Sequence, residues 1–152
     1  MPTDDIVRAE RVIDAPADAI FDVIADPTKH ALIDGSGTVQ GARGEPTRLA
    51  LGSTFGMSMR NRFNYRTKPT VVEFEENRLI AWRNTGGPIW RYELFPVEGG
   101  TRVVETYDLT GTRMGFLLKR TRLPARTQQN MGRTLERLER LLTSGTTEDR
   151  LE

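Results

Sequence analysis

Hydrophobic and polar residues along this 152-residue chain change their period three times, and each change marks an element. From Ile6 to Ala15 they alternate, with Val7, Ala9, Ile13 and Ala15 on one side, which predicts a strand. Pro16 suits a first helical position, and Asp18 falls in the first turn, where the helix dipole favours an anion. Ala17, Ile20, Phe21 and Ile24 then share one side at helical spacing, so a helix follows and stops at Asp26-Pro27. A short second helix is predicted over Thr28 to Ile33, ahead of the loop Asp34-Gly35-Ser36-Gly37. Thr38 to Thr110 reads as strands separated by turns. Helical spacing returns from about Gly115, where Met131, Leu135, Leu138 and Leu142 form a stripe, and Gly145 marks the expected stop. These elements predict one domain over residues 1–145 and a flexible tail over 146–152.

Two-residue turns fix the register of the strands they join. Taking Gly99-Gly100 as one sets Leu94 opposite Glu105, Tyr92 opposite Tyr107 and Trp90 opposite Leu109. Taking Gly86-Gly87 as another sets Leu79 opposite Leu94, Ala81 opposite Tyr92 and Arg83 opposite Trp90, and a turn at Glu76-Asn77 adds Phe74 opposite Leu79. One face of the resulting meander carries Phe74, Leu79, Leu94, Ala81, Tyr92, Tyr107 and Trp90, with Arg83 and Glu105 as its charged members. The other face carries Glu73, Glu93, Arg91 and Asp108 together with Val71, Ile80 and Trp82. Such a sheet has one wet side, and the striped C-terminal helix is the element available to cover the dry one. One extra residue in the turn after Glu75 flips the preceding strand.

The order of elements resembles the helix-grip fold of the SRPBCC superfamily, which holds polyketide cyclases, START lipid-transfer domains and plant ligand carriers. The likeness rests on Ile13-Asp14-Ala15-Pro16-Ala17-Asp18-Ala19-Ile20-Phe21, Asp26-Pro27, Arg78-Leu79-Ile80-Ala81-Trp82-Arg83, Gly99-Gly100-Thr101-Arg102-Val103 and the final leucine-rich helix, across about residues 5 to 143. It implies an α+β domain: a curved antiparallel sheet of about six or seven strands wrapped on a long C-terminal helix, with two short helices after the first strand. It also implies a hydrophobic cavity between sheet and helix. The superfamily pattern places a tryptophan shortly after its Asp-Pro. This chain has none there, which leaves His30 or Leu32 for that place.

Composition narrows the chemistry. With 37% hydrophobic and 28% charged residues, 14 Gly and 8 Pro, the chain is globular rather than disordered or collagen-like. Cysteine is absent, which excludes disulfides, thiol nucleophiles and thiolate metal sites and fits a cytoplasmic protein. One histidine leaves no two-histidine metal motif, and no apolar run reaches the roughly 18 residues of a membrane span. No metal or cofactor is expected. Net charge is +1, but residues 1–26 carry seven acidic and two basic side chains, and residues 113–140 eight basic and two acidic. The basic helix is read as a solvated face drawn to the acidic N-terminal region, so no nucleic acid is expected as a partner.

Under the resemblance, Phe74, Trp90, Tyr92 and Tyr107 line the cavity wall, with Phe55, Met57 and Met59 alternating on an earlier strand as adaptable contacts. Arg83 and Glu105 are costly to bury alone, so each needs a partner, water or a ligand group, or a place at the rim. In a functional role Arg83 holds an oxyanion while Glu105 or Tyr107 moves a proton. His30 is either a general base or a surface histidine. Asp14, Asp18, Asp22 and Asp26 recur every four residues and read as the exposed side of the first helix rather than a metal site. Asp34-Gly35-Ser36-Gly37 does not open a helix after a strand, so it is no phosphate loop. Trp82 beside Arg91 on the outer face suggests guanidinium stacking, and with Val71 it offers an apolar spot for a homodimer. The functional expectation is binding or transport of a small hydrophobic molecule without a demonstrable catalytic centre. The alternative is a polyketide cyclase, dehydratase or aromatase using Arg83, Glu105, Tyr107 or His30.

Overall fold

The computed structural model describes residues 6–43, 47–60, 63–83, 87–110, 112 and 123–151. β1 (Ile6–Ile13) leads into α1 (Ala17–Ile24), a 3-10 turn (Pro27–Lys29) and α2 (His30–Ile33). There follow β2 (Val39–Arg43), β3 (Gly56–Arg60), β4 (Asn64–Thr67), β5 (Thr70–Glu75), β6 (Leu79–Arg83), β7 (Ile89–Val97), β8 (Gly100–Asp108) and then α3 (Leu123–Leu151). This is the expected α+β order. The strands divide, however, into an antiparallel sheet of order β1-β8-β7-β6-β5 and a three-stranded sheet β2-β3-β4, instead of one sheet of six or seven. An isolated bridge, Thr54 to Thr70, joins the two. At this junction Pro69 has no N–H to extend a ladder, and its carbonyl accepts from the Phe55 amide at 3.1 Å.

The local signals around α1 behave nearly as predicted. Pro16 stands one place earlier than expected, flanking the helix with extended backbone, and Ile20, Phe21, Val23 and Ile24 are buried. Asp26 caps the 3-10 turn by accepting from the Thr28 amide at 3.0 Å and the Thr28 hydroxyl at 2.6 Å. The other aspartates are exposed: Asp18 accepts from the Ala19 amide, and Asp22 pairs with Arg48 at 3.0 Å. The start of the last helix, predicted from about Gly115, lies partly outside the described residues. At its other end α3 continues through Gly145 to Leu151, because a helical glycine costs only about 1 kcal/mol and does not by itself end a helix. No described helix is long and apolar enough to cross a membrane.

The sheet registers differ from prediction in an instructive way. Between β7 and β8 the turn is Glu98-Gly99, with Gly99 at φ 89°, so Tyr92 faces Glu105 and Trp90 faces Tyr107. That is a two-residue slide, which keeps every side chain on its expected face. Between β6 and β7 the slide is a single residue: Ile80 faces Tyr92 and Trp82 faces Trp90, while Arg83 faces Ile89. The connection therefore spans residues 84–88 rather than the pair Gly86-Gly87, of which Gly86 lies outside the described residues. The single step reverses the two faces of β6. Ile80 and Trp82 turn inward, and Arg83 turns outward and is exposed. On the far side Asn77 at φ 63° lengthens the turn to three residues, and an irregularity between Val71 and Glu73 then restores Val71 opposite Trp82. Val71 and Trp82 are both buried, so the outward apolar spot expected to support a homodimer is not there. Arg91 does not stack on Trp82; it bonds Glu73 at 2.6 and 2.9 Å across the wet face and lies 3.7 Å from Asp108.

α3 packs against β1, α1 and α2 and buries Met131, Thr134, Leu135 and Leu138. Its ion pair with the N-terminal region has the reverse sense of the overall charge asymmetry, since Arg11 of β1 bonds Glu139 of α3 at 3.0 Å. The loop after α2 is seated on this helix: the Gly35 amide donates to Thr134 Oγ1 at 2.9 Å and Arg137 donates to the Asp34 carbonyl. A Cβ at Gly35 would stand 2.2 Å from the Asn130 carbonyl oxygen and 2.6 Å from the Arg133 Cβ. Asp34-Gly35-Ser36-Gly37 thus serves close packing. Replacing Gly35 with Ala should lower stability by roughly 1–3 kcal/mol in denaturant unfolding, because backbone and helix must separate. Gly132→Ala, where a Cβ meets nothing within 4 Å, should stabilise by about 0.5–1 kcal/mol; equal effects at the two sites would sink this account.

Candidate functional site

The inner face of the five-stranded sheet presents two lateral rows. One runs Val71, Trp82, Trp90, Tyr107 and Val7; the other runs Phe74, Ile80, Tyr92, Glu105 and Ala9. Toward α2 the face is closed by rings. His30 stacks on Trp82 with centroids 5.2 Å apart and planes 22° apart, Phe55 meets both rings edge-on at 5.6 and 5.4 Å, and Trp82 lies 5.7 Å from Tyr92. Phe74 meets Phe21 of α1 edge-on at 5.5 Å. Toward the other end, Trp90 and Tyr107 form a half-buried pair with centroids 4.2 Å apart. Burial raises the Tyr107 hydroxyl above its ordinary pKa, with a smaller contribution from Tyr65.

His30 is neither a surface histidine nor an accessible base. It is buried, and its Nε2 donates to the Ile24 carbonyl at 2.7 Å, which requires the proton on that nitrogen. Desolvation lowers its pKa, outweighing the Ile24 carbonyl and the charges of Asp26 and Asp34, so the ring is held neutral. Of the two residues expected in place of the absent tryptophan, His30 is the buried one; Leu32 is 60% exposed.

Glu105 is the chemical centre of the face. It is 2% exposed, between the tyrosine of β7 and the small side chain of Ala9. The Tyr92 hydroxyl favours the ionised form of the carboxyl, yet Oε1 has no hydrogen-bond partner among the described residues. Burial pushes the pKa up to about 8; the Tyr92 hydroxyl opposes the rise and the Asp34 carboxylate adds to it. Tyr92 is itself raised well above its ordinary value, by burial first and by Glu105 second. Asp34 is fixed by the Val39 amide at 2.8 Å and by the Ser36 amide and hydroxyl. No lysine or arginine among the described residues is buried, so at neutral pH Glu105 is an uncharged acid.

Among the residues singled out from sequence, the fold brings Tyr92 to Glu105 and Trp90 to Tyr107. Phe55, Met57 and Phe74 reach the same core, and Met59 packs partly against it. Arg83 is not with them. Its expected inward place assumed the two-residue loop at Gly86-Gly87, and the exposed guanidinium cannot balance Glu105. Sequence reasoning placed Trp82 on the outer face, left His30 open between a base, a surface residue and the place of the absent tryptophan, and did not single out Asp34. The signal for Trp82 was present, since turning Ile80 and Trp82 inward buries more apolar surface than turning in Leu79, Ala81 and Arg83.

A carboxyl whose pKa is raised by folding stabilises most below its unfolded pKa and loses that contribution as pH climbs toward the folded value. The wild-type stability should therefore fall, relative to Glu105→Gln, between about pH 4.5 and pH 8 by on the order of a few kcal/mol. Urea unfolding of both proteins across this range measures the difference; parallel pH profiles would show that Glu105 is ionised in the folded chain. His30 acts oppositely, losing stability as pH drops below about 6.5, but it contributes equally to both proteins.

Known proteins share this architecture. A structure of protein NE0264 from Nitrosomonas europaea superposes with a TM-score of 0.77 at 14% identity, covering 97% of this chain and 99% of that one. The Polyketide_cyc-like protein Cgl2372 from Corynebacterium glutamicum superposes with a TM-score of 0.64 at 20% identity, covering 96% of both chains. The uncharacterized protein Rv0088 of Mycobacterium tuberculosis is 38% identical over 96 residues, which is 62% of this chain and 43% of that protein. The matched stretch is thus less than half the length of this relative. The model of the family described as polyketide cyclase / dehydrase and lipid transport matches residues 5–143. With its helix-grip architecture and a family match over nearly its whole length, the chain belongs to that family of the SRPBCC superfamily.

Proposed function

We propose that this chain binds a small, mostly hydrophobic molecule against the inner face of its five-stranded sheet, as a carrier or binding module. The observation carrying this reading is Glu105 Oε1, which has no hydrogen-bond partner among the described residues and lies on a wall of aromatic and aliphatic side chains. A buried polar atom left unpaired costs about 1–3 kcal/mol, which an incoming ligand group offsets. Met57 and Met59 add surface that conforms to varied shapes, and the half-buried Trp90 and Tyr107 extend the wall toward solvent. The family description joins cyclases and dehydrases with lipid transport, and hydrophobic molecules are common to both.

A second reading, a cyclase or dehydrase, is favoured by the same carboxyl. A group titrating at about 8 is poised for proton donation near neutral pH. Glu105 would be the general acid, with Tyr92 positioning it. The two readings part at Glu105→Gln, which should abolish turnover in an enzyme and leave a carrier still able to load.

Native mass spectrometry of the purified chain is expected to show a bound small molecule, or a one-to-one complex after titration with the neutral probe N-phenyl-naphthylamine. Trp90→Ala and Met59→Ala should each weaken probe binding about tenfold, through loss of roughly 1–2 kcal/mol of apolar contact, with circular dichroism unchanged. Failure to bind either an endogenous molecule or the probe, in a chain shown to be folded, removes the reading.

A further inference from the structure

Resting on the binding reading above, we propose that Glu105 is a hydrogen-bond donor subsite for a neutral carbonyl oxygen, so that the site takes hydrophobic ketones, esters, lactones or amides and rejects carboxylates. Glu105 stands on the inward side of β8, flanked across the sheet by Tyr92 on one side and Ala9 on the other. Ala9 offers no side-chain polar group, so Tyr92 is the polar neighbour across the strands. The Tyr92 hydroxyl favours the ionised carboxyl, the effect of a donor group beside it. The carboxyl oxygen Oε1 is buried and unpartnered among the described residues.

Charge then decides what Oε1 carries. The titratable groups facing the carboxyl are Tyr92 from β7 and Asp34 from the turn after α2, one neutral and one anionic. His30 on α2 is neutral, Tyr107 lies two places along β8, and the buried positions of α3 are Met131, Thr134, Leu135 and Leu138, none of them titratable. Nothing cationic is buried among the described residues. The carboxyl therefore keeps its proton, and Oε1, which has no partner among the described residues, is the oxygen free to present it. An unfilled O–H donor in an apolar wall recognises an acceptor that needs no counter-ion, which is a neutral carbonyl oxygen. A ligand carboxylate would place a second anion beside Asp34, with no buried cation among the described residues to balance it.

Three probes of one shape separate the possibilities: acetylnaphthalene, ethylnaphthalene and naphthoate, all substituted at the same ring carbon. Each is titrated by calorimetry into the wild type and Glu105→Gln at about pH 6 and about pH 10. The ketone should bind the wild type about tenfold more tightly than the hydrocarbon at the lower pH, and naphthoate should bind most weakly. At the higher pH the ionised Glu105 has no proton to give, so the ketone advantage should vanish while hydrocarbon binding stays unchanged. The amide of Glu105→Gln still donates, so there the advantage should persist at both pH values. Equal affinity for ketone and hydrocarbon in the wild type at low pH, or tighter binding of naphthoate, overturns the donor subsite while leaving hydrophobic binding intact. No binding of any probe would instead remove the underlying binding reading.

Discussion

One buried carboxyl constrains this molecule more than any other group. Glu105 is buried with no buried cation among the described residues, and burial pushes its pKa up to about 8, so at neutral pH it is an uncharged acid. The Tyr92 hydroxyl is delivered by the pairing of β7 with β8, and that register is set by the Glu98-Gly99 turn. A slip of one residue would carry Glu105 to the wet face and replace it with Val104 or Thr106. The electrostatic side of the site comes from a different part of the fold. Asp34 owes its position to a loop that can approach α3 only because Gly35 has no side chain. The chemistry of the sheet thus depends on how closely a helix and a loop pack elsewhere.

The rings divide the inner face into two regions with different capacities. Near α2, His30, Phe55, Trp82 and Tyr92 form mutually stacked and edge-on contacts, and the neutral His30 is locked to the Ile24 carbonyl. Aromatic pairs of this kind contribute about 0.5–1.5 kcal/mol each beyond burial, so this region is structural. Trp90 and Tyr107 contact each other but keep part of their surface exposed. Glu105 lies beside both regions, next to the closed cluster through Tyr92 and two residues along the strand from Tyr107. A ligand reaching Oε1 by way of the second pair would leave the first undisturbed.

Much of this architecture was legible in the sequence, and the limit has a physical cause. The order of elements follows from period changes and from local signals at Pro16 and Asp26, each of which acts over a few residues. Register is not local. It is fixed by turn lengths, and Gly-Gly pairs advertise a turn without specifying how many residues it holds. The two-residue slide at β7 and β8 was harmless, and it left Trp90, Tyr92, Glu105 and Tyr107 inward as expected. The single-residue slide at β6 exchanged Arg83 for Trp82, and with it the anticipated anion anchor for a core ring. The place of His30 stayed open for a related reason: whether a short helix turns its histidine in or out depends on the cap at Asp26 and on a carbonyl six residues back.

The inward rotation of Arg83 would have changed the chemistry qualitatively. A guanidinium within reach of Glu105 would ionise the carboxyl and leave a satisfied ion pair with little to offer a neutral ligand. Its absence makes Glu105 an acid with an unused donor, and that property ties stability to occupancy. On the proposed reading, a ligand accepting from Oε1 would satisfy an atom that is unpaired among the described residues and would bind only the folded state, so the unfolding free energy would rise with the logarithm of ligand concentration once the site is mostly filled. The same coupling runs through the proton. A ligand that needs the acid form increases the carboxyl's affinity for its proton by the factor by which that proton increases affinity for the ligand. On that reading, binding, protonation and folding at this site would form one linked equilibrium.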